Sequence, residues 1–391
     1  GGRMPEIEIA QGLGGKFPGH PVECSGHLEK EGGPVNILFA YNRGLDWYSD
    51  AHAAGVEAAN LPIEVSLEKF WSASPFDYDV VHIQWPETLF NWRTPSAEEL
   101  ELLRRRLKDI RSRAKIIYTR HNEVSHNADA GAQRILRELY ALIESECDVM
   151  VHLGEPSKTA CETRPDLREK QHVMIPIPVY DEIYAPYLEM DRAEVRRRLG
   201  IPLHQKVALA FGHFRNEAER QLTVHAFGAL NERDALLVAP GWNQPIPKWR
   251  PLALLHSACQ TLRARRRGMR LGTKRLLPHP AVARYFIAAD VVFLQRLDGL
   301  NSANVPMAFL FSKVVAGPDC GNIGYWLRKT GNPIFAPSQP SSAGTALKQA
   351  LDLAASGLGK ANYQFAMSNW SMRQIGEAYA ALYRKTGSHV V

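Results

Sequence analysis

The stretch ADVVFLQRLDGLNSANVPMAFLFSKVVAGPDCGNIGYWL, from Ala289 to Leu327, decides how the chain is read. It holds an apolar β-branched run, a polar loop entering a helix, a second apolar run and a glycine-rich turn. Strand, helix, strand in this order is the repeating unit of a parallel sheet covered on both faces. In such sheets ligands sit beyond the carboxyl ends of the strands. The polar residues Asn301, Ser302 and Asn304 therefore stand at a binding edge, although Asn and Ser are also good helix caps.

Working outward, the pattern recurs on both sides. KVALAFGHFRNEAER (206–220), ALLVAPGW (235–242) and PIFAP (333–337) give further strands around this unit. Upstream, VNILFAY (35–41), DYDVVHIQWPE (77–87), AKIIYTRHNEVSHN (114–127) and CDVMVHLGEPS (147–157) are strands separated by helical stretches such as SAEELELLRRRLKDIRSR. Between the two sets, HVMIPIPVYDEIYAPY (172–187) is too rich in proline and tyrosine for a core element. It predicts a linker over 175–190. NWSMRQIGEAYAALY (369–383) predicts a terminal amphipathic helix.

The chain of 391 residues is long for one core, so two domains are expected. The division predicted is an undefined extension over 1–33, an N-terminal Rossmann-like domain over 34–180 and a second over 181–370. A helix over 371–391 returns to the first domain. The fold class is α/β, with two parallel-sheet domains facing a cleft.

Composition excludes several classes. Hydrophobic residues are 45% and charged residues 23%, the balance of a globular protein. The strands and loops hold no GxSxG, GxxxxGKS or GxGxxG motif and no basic stripe interleaved with aromatics, so no nucleic-acid partner is expected. Five scattered cysteines without a CxxC pair imply a reducing compartment and no zinc site. No run is long and apolar enough to span a bilayer. A cytoplasmic protein is expected. The net charge of +6 is concentrated in LLRRRLKDIRSRAK (102–115) and LRARRRGMRLGTKR (262–275). Those basic faces are either solvated or in peripheral contact with an anionic membrane.

Several positions carry candidate chemistry. Gly212, just after a strand, lets an anion approach the backbone, and Arg215 and Arg220 offer phosphate clamps. Asn301, Ser302 and Asn304 form a second polar helix entrance. In the first half, His121, His126 and Glu87 stand at strand ends, suited to acid–base work or to binding sugar hydroxyls. Trp47, Trp85 and Trp92 are placed to stack on sugar rings, and Asn42 and Asp46 share the first of these loops.

Together, FGHFRNE, DGLNSANVPMAFLFSKVVAGPDCGNIGYWL, TGNPIFAP, DVVHIQWPE and YTRHNEVSHN resemble the GT-B glycosyltransferases over residues 35–385. The closest group is the large retaining family (family 4-like) of bacterial mannosyl and glucosyl transferases, of which this would be a divergent subgroup. The resemblance implies transfer of a hexose from a nucleoside diphosphate sugar, a UDP- or GDP-sugar, without an obligatory metal or other cofactor. The acceptor implied is a glycan or lipid-linked glycan. It places Arg215 on the donor diphosphate, and Asn301, Ser302 and Ala303 around the distal phosphate. Gly241, Trp242, Leu276 and Leu277 fall near the nucleoside, and His121 beside the transferred sugar. The family's pair of glutamates falls on Asp298 and Pro306, leaving Asp298 as the catalytic candidate beside His121 and Glu87. The family's lysine has no counterpart unless Arg220 replaces it. If configuration is inverted instead of retained, Glu87, His121, Glu123 and Asp46 are the candidate bases. A binding protein without activity and a sugar-nucleotide epimerase are the alternative functions on the same fold.

Overall fold

A computed structural model describes residues 35–44, 47–123, 130–242, 251–272 and 277–388. Asp46 and His126 lie outside the described residues, as do Leu276 and the side chain of Trp47.

The first sheet contains β1 (Ile37–Phe39), β2 (Glu64–Val65), β3 (Val80–Ile83), β4 (Lys115–Arg120), β5 (Val149–His152) and β6 (Gln171–Met174), in the order β2-β1-β3-β4-β5-β6. The second contains β7 (Lys206–Leu209), β8 (Ala235–Ala239), β9 (Arg270–Leu271), β10 (Val291–Phe293), β11 (Val314–Pro318) and β12 (Ile334–Phe335), in the order β12-β11-β10-β7-β8-β9. Every pairing is parallel. The central strands are buried along almost their whole length, which is why they read as continuous apolar runs instead of alternating ones.

Strand order locates the clefts. In each sheet the chain runs outward from one central strand, then returns and continues on its other side. The reversal falls between β1 and β3 in the first sheet and between β7 and β10 in the second. Loops leaving those two strands must part in opposite directions, which opens a crevice at their carboxyl ends. Asn42 and Gln84 follow β1 and β3; Gly212 and Arg296 follow β7 and β10.

Where a linker over 175–190 is expected, the structure has irregular chain only to Tyr180, which is left-handed, then a helix over Asp181–Leu188 with Pro186 inside it. Burial overrides the proline: Tyr184 is buried in the second half's apolar core and Ile183 packs against it. The chain passes between the halves at 179–181 and again at 370–372. The two crossings are tied, since Val179 N–H donates to the Trp370 carbonyl at 2.9 Å and Met372 N–H to the Asp181 carboxylate at 2.7 Å.

After the second crossing, helix Met372–Gly387 packs on helix Trp47–Ala58 beside the first sheet. Gly55 and Gly376 allow the approach. A Cβ on Gly376 would stand 2.1 Å from the Gly55 carbonyl oxygen, so neither position has room for a side chain. Tyr379 and Tyr383 of the last helix are thereby inserted into the first half's core with Phe39, Ile117 and Val151.

Candidate active site

The crevice between β7 and β10 is lined by a linked set of cations. Gly212 has φ +90°, a conformation that favours glycine, and a Cβ there would lie 3.6 Å from Arg296 Nη2 and 3.7 Å from Asn304 Nδ2. Asn304 Nδ2 also donates to the Phe211 carbonyl at 3.0 Å. Gly241, after β8, is bridged to His213 and closes the neighbouring side.

Below this surface, the fully buried carboxylate of Glu219 organises two guanidiniums. It accepts from Arg215 Nε at 2.8 Å, from the Arg215 backbone N–H at 2.8 Å and from Arg296 Nη1 at 2.7 Å. Glu219 is itself positioned by the helix Glu217–Ala229, whose N-cap Asn216 accepts from the Glu219 N–H at 3.0 Å. Arg296 further donates to the His213 carbonyl at 3.1 Å. Arg215 Nη2 reaches Asp298, bonding both its carbonyl (2.7 Å) and its carboxylate (2.6 Å). The Asp298 side chain is 76% exposed, so this last pair lies at the mouth of the crevice.

The other donor-side candidates are placed differently. Arg220 donates to the Trp242 carbonyl at 3.2 Å and to Glu217 at 3.3 Å, so its guanidinium is engaged apart from the Arg215–Glu219–Arg296 set. Trp242 is fully buried, edge-on to Phe214, with its indole N–H on Thr261 at 3.1 Å. Leu277 is half-buried against the core.

Asn301 does not cap the helix. Its N-cap is Ala303, with no side-chain bond, and the helix runs over Asn304–Leu310. The Ser302 hydroxyl, one residue before Ala303, accepts from the N–H of Asn304, the first helical residue, at 3.3 Å. Asn301 spans the two halves, its Nδ2 donating to the His121 carbonyl at 2.8 Å. Asn322 extends the crossing by donating to Asn301 Oδ1 (2.9 Å) and to Ser157 Oγ (3.2 Å), and Trp326 Nε1 donates to the Leu153 carbonyl at 2.9 Å. Loops after β4, β5, β10 and β11 thus meet at their carboxyl ends.

On the first-half side, His121 is buried among aromatic rings. Trp85 stacks on it at 4.1 Å and 17°, and Tyr48 meets it edge-on at 4.6 Å. Its Nε2 is 2.6 Å from Gln84 Oε1. Burial, with the neighbouring His52, pushes its pKa down to about 3, so the ring is neutral at physiological pH. Trp85 also leans on Trp92 at 5.8 Å. Asn42 is exposed, its Oδ1 accepting from the Leu67 N–H at 3.3 Å. Glu87 is turned away beneath the helix Ala130–Glu146, where its carboxylate accepts from the Tyr140 hydroxyl at 2.9 and 3.0 Å.

Among the described residues, no three His, Cys, Asp or Glu side chains gather as a metal-ligand set, and no helix is long and apolar enough to cross a membrane. Sequence reading missed Arg296, Asn322 and the ordering role of Glu219. The available signal for Arg296 was its position, on the loop that leaves β10 beside the strand-order reversal.

Neither a family model nor a curated protein matches the sequence. Solved structures do. Sucrose-phosphate synthase from Thermosynechococcus elongatus superposes with a TM-score of 0.63 at 15% identity, over 89% of this chain and 98% of that one. HepE from Anabaena in complex with UDP gives 0.63 at 13% identity, over 90% and 100%. A trehalose 6-phosphate synthase from Burkholderia multivorans gives 0.57 at 13%, over 88% and 78%. At such identities the likeness establishes architecture: the chain has the two-sheet fold of GT-B glycosyltransferase structures.

Proposed function

We propose that the chain is a glycosyltransferase of retaining, hexose-transferring type, which binds a UDP- or GDP-sugar at the second sheet and delivers the sugar to an acceptor at the first. One observation carries this reading. Arg215, Arg296, Gly212 and Asn304 converge at the reversal of one sheet, and Asn301 joins that edge to His121 and Trp85 at the other.

The donor diphosphate lies over Gly212, against Arg296 and Arg215. The exposed Asp298 carboxylate now bonded to Arg215 gives way to the phosphate, so that two half-buried cations share one buried carboxylate and one ligand. Held by Glu219, both guanidiniums are preorganised to receive charge on the leaving group, which is the dominant kind of catalytic stabilisation. The bond from the anomeric carbon to the phosphate oxygen breaks with its electron pair on phosphate. The acceptor oxygen bonds that carbon on the same face, and its proton passes to the phosphate oxygen. Glu87, already bonded to Tyr140, takes no part in this transfer. Trp85 and Trp92 offer rings against which a sugar acceptor stacks.

The acceptor is a glycan or lipid-linked glycan. Helices Ala97–Arg111 and Pro251–Arg266 carry exposed Leu102, Leu255 and Leu262 beside arginines, which suits docking on an anionic membrane surface. Cosedimentation with vesicles of anionic and neutral lipid checks that part, and equal binding to both counts against it.

Calorimetry with UDP, GDP and their hexose conjugates tests the donor site. Binding is expected, weakened at least about tenfold in Arg215→Ala and in Arg296→Ala. No binding to any nucleotide overturns the reading. Binding without transfer or hydrolysis across a panel of acceptors identifies a nonenzymatic binding protein, and release of an epimerised sugar without acceptor an epimerase.

A further inference from the structure

Behind His121 runs a chain of buried polar groups that ends on the C-terminal helix. His121 Nε2 meets Gln84 Oε1 at 2.6 Å, and Gln84 Nε2 lies 3.3 Å from His52 Nδ1. His52 Nε2 is 2.7 Å from the Tyr383 hydroxyl, which also bonds His82 Nδ1. His82 Nε2 is 2.8 Å from Thr119 Oγ1, and Thr119 lies 3.2 Å from the Tyr379 hydroxyl. All these residues are at most 4% exposed.

Protons in such a chain are not placed independently. Gln84 presents its oxygen to His121 and its amide nitrogen to His52, so His121 donates from Nε2 and His52 accepts at Nδ1. His52 must then donate from Nε2 to Tyr383. The single Tyr383 proton goes to His82 Nδ1, and His82 donates from Nε2 to Thr119. Reversal would require the Gln84 amide and three ring tautomers to change together. Burial favours the uncharged ring for each histidine. A core of apolar residues would fill this space without needing every partner satisfied. The end of the chain that faces the other half is His121, whose Nδ1 makes no hydrogen bond among the described residues.

We propose that Tyr383, on the C-terminal helix, is a positioning residue: through His52 and Gln84 it holds His121 with its proton on Nε2, leaving the Nδ1 lone pair to accept a hydroxyl of the bound sugar. Naming the ligand as a sugar rests on the glycosyl-transfer reading above; the tautomer assignment does not. The residue touching the ligand is His121, and Tyr383 acts only through the chain behind it.

The test is ring ¹⁵N NMR of the full chain labelled at histidine, with His121 assigned by the signal lost in His121→Gln. His121, His52 and His82 are expected as neutral Nε2–H tautomers at neutral pH. Tyr383→Phe removes both histidine contacts, and a mixed His121 tautomer is expected with the amide spectrum otherwise kept. His52→Phe, on a different helix, is expected to do the same and serves where Tyr383→Phe does not fold. In turnover of a nucleotide sugar, both variants are expected to lower kcat on the order of tenfold, with a smaller effect on donor KM. A proton on Nδ1 of His121 in the unaltered protein, or an unchanged His121 tautomer in both variants, overturns the proposal. If the tautomers are as stated but no nucleotide sugar binds or turns over, the functional reading fails and the positioning chain stands.

Discussion

The side chain of Asn301 donates to the backbone carbonyl of His121 at 2.8 Å, joining residues 180 positions apart in sequence. The same side chain accepts from Asn322, so its amide is oriented by two partners of opposite demand. Asn301→Asp places a carboxylate oxygen against the His121 carbonyl and is expected to destabilise more than Asn301→Ala, which costs about 1 kcal/mol for the lost bond. Urea midpoints of the two variants check the order. A simple cap would reverse the order, since Asp caps as well as Asn and Ala does not, and nucleotide affinity would be unmoved in both.

Glu219 lies at the centre of the donor-side cluster, and its loss exposes the dependence of two arginines on one buried charge. Glu219→Gln keeps the shape but leaves Arg215 and Arg296 facing a neutral amide. A loss of about 3 kcal/mol is expected from removing one partner of a buried ion set. Thermal unfolding measures it. Added UDP is expected to shift Tm less in this variant than in the unaltered chain, because the guanidiniums are no longer held in place.

Five histidines among the described residues, His52, His82, His121, His152 and His279, are held below their ordinary value of 6.5 by burial, three of them at about 3. Below pH 6.5 the unfolded chain takes up protons that the folded chain refuses. The stability they allow is therefore complete above pH 6.5 and falls as pH drops toward about 3, by about 1.4 kcal/mol per histidine per pH unit. Denaturation midpoints taken from pH 7.5 to 5 are expected to fall steeply below 6.5. His152→Asn, which leaves the chain from His121 to Tyr383 intact, is expected to reduce that slope by removing one titrating ring, and an unchanged slope contradicts the assignment.

Gly376→Ala forces a methyl group into the Gly55 carbonyl, with backbone on both sides and no flexible side chain to yield. A loss of about 2 kcal/mol is expected from overpacking. Hydrogen exchange is expected to show faster opening of helix Met372–Gly387 than of β4. Gly331→Ala, with open space around its Cβ but φ +70°, is a control that introduces backbone strain without a collision.

The alternation of strands and helices was legible because parallel strands buried on both faces leave long β-branched runs, as in KIIYTR and VVAGP. Punctuation was read less well. Proline and tyrosine at 176–187 signalled a linker, yet burial of Tyr184 makes a helix of its second half. At the site, single positions could be named but not their partners. Nothing local tells that Asn301 reaches across to His121 instead of capping its own helix. Arg220 and Arg296 are equally plausible cations in a string, and only the fold directs one to the Trp242 carbonyl and the other to Glu219. His52 and His82 sit inside a helix and a strand among apolar neighbours, where a polar side chain carries no periodic signal. Their role depends on Tyr379 and Tyr383, some 300 residues away.

That the chain crosses between its halves twice has a consequence for the order in which the protein can be made. By the time residue 180 leaves the ribosome, every strand of the first sheet exists, but the hydroxyls that His52 and His82 require have not been synthesised. Those imidazoles must stay hydrated or find temporary partners until the last helix arrives, after the second sheet is complete. The first half, though contiguous in its strands, is therefore among the last parts of the molecule to reach its final packing.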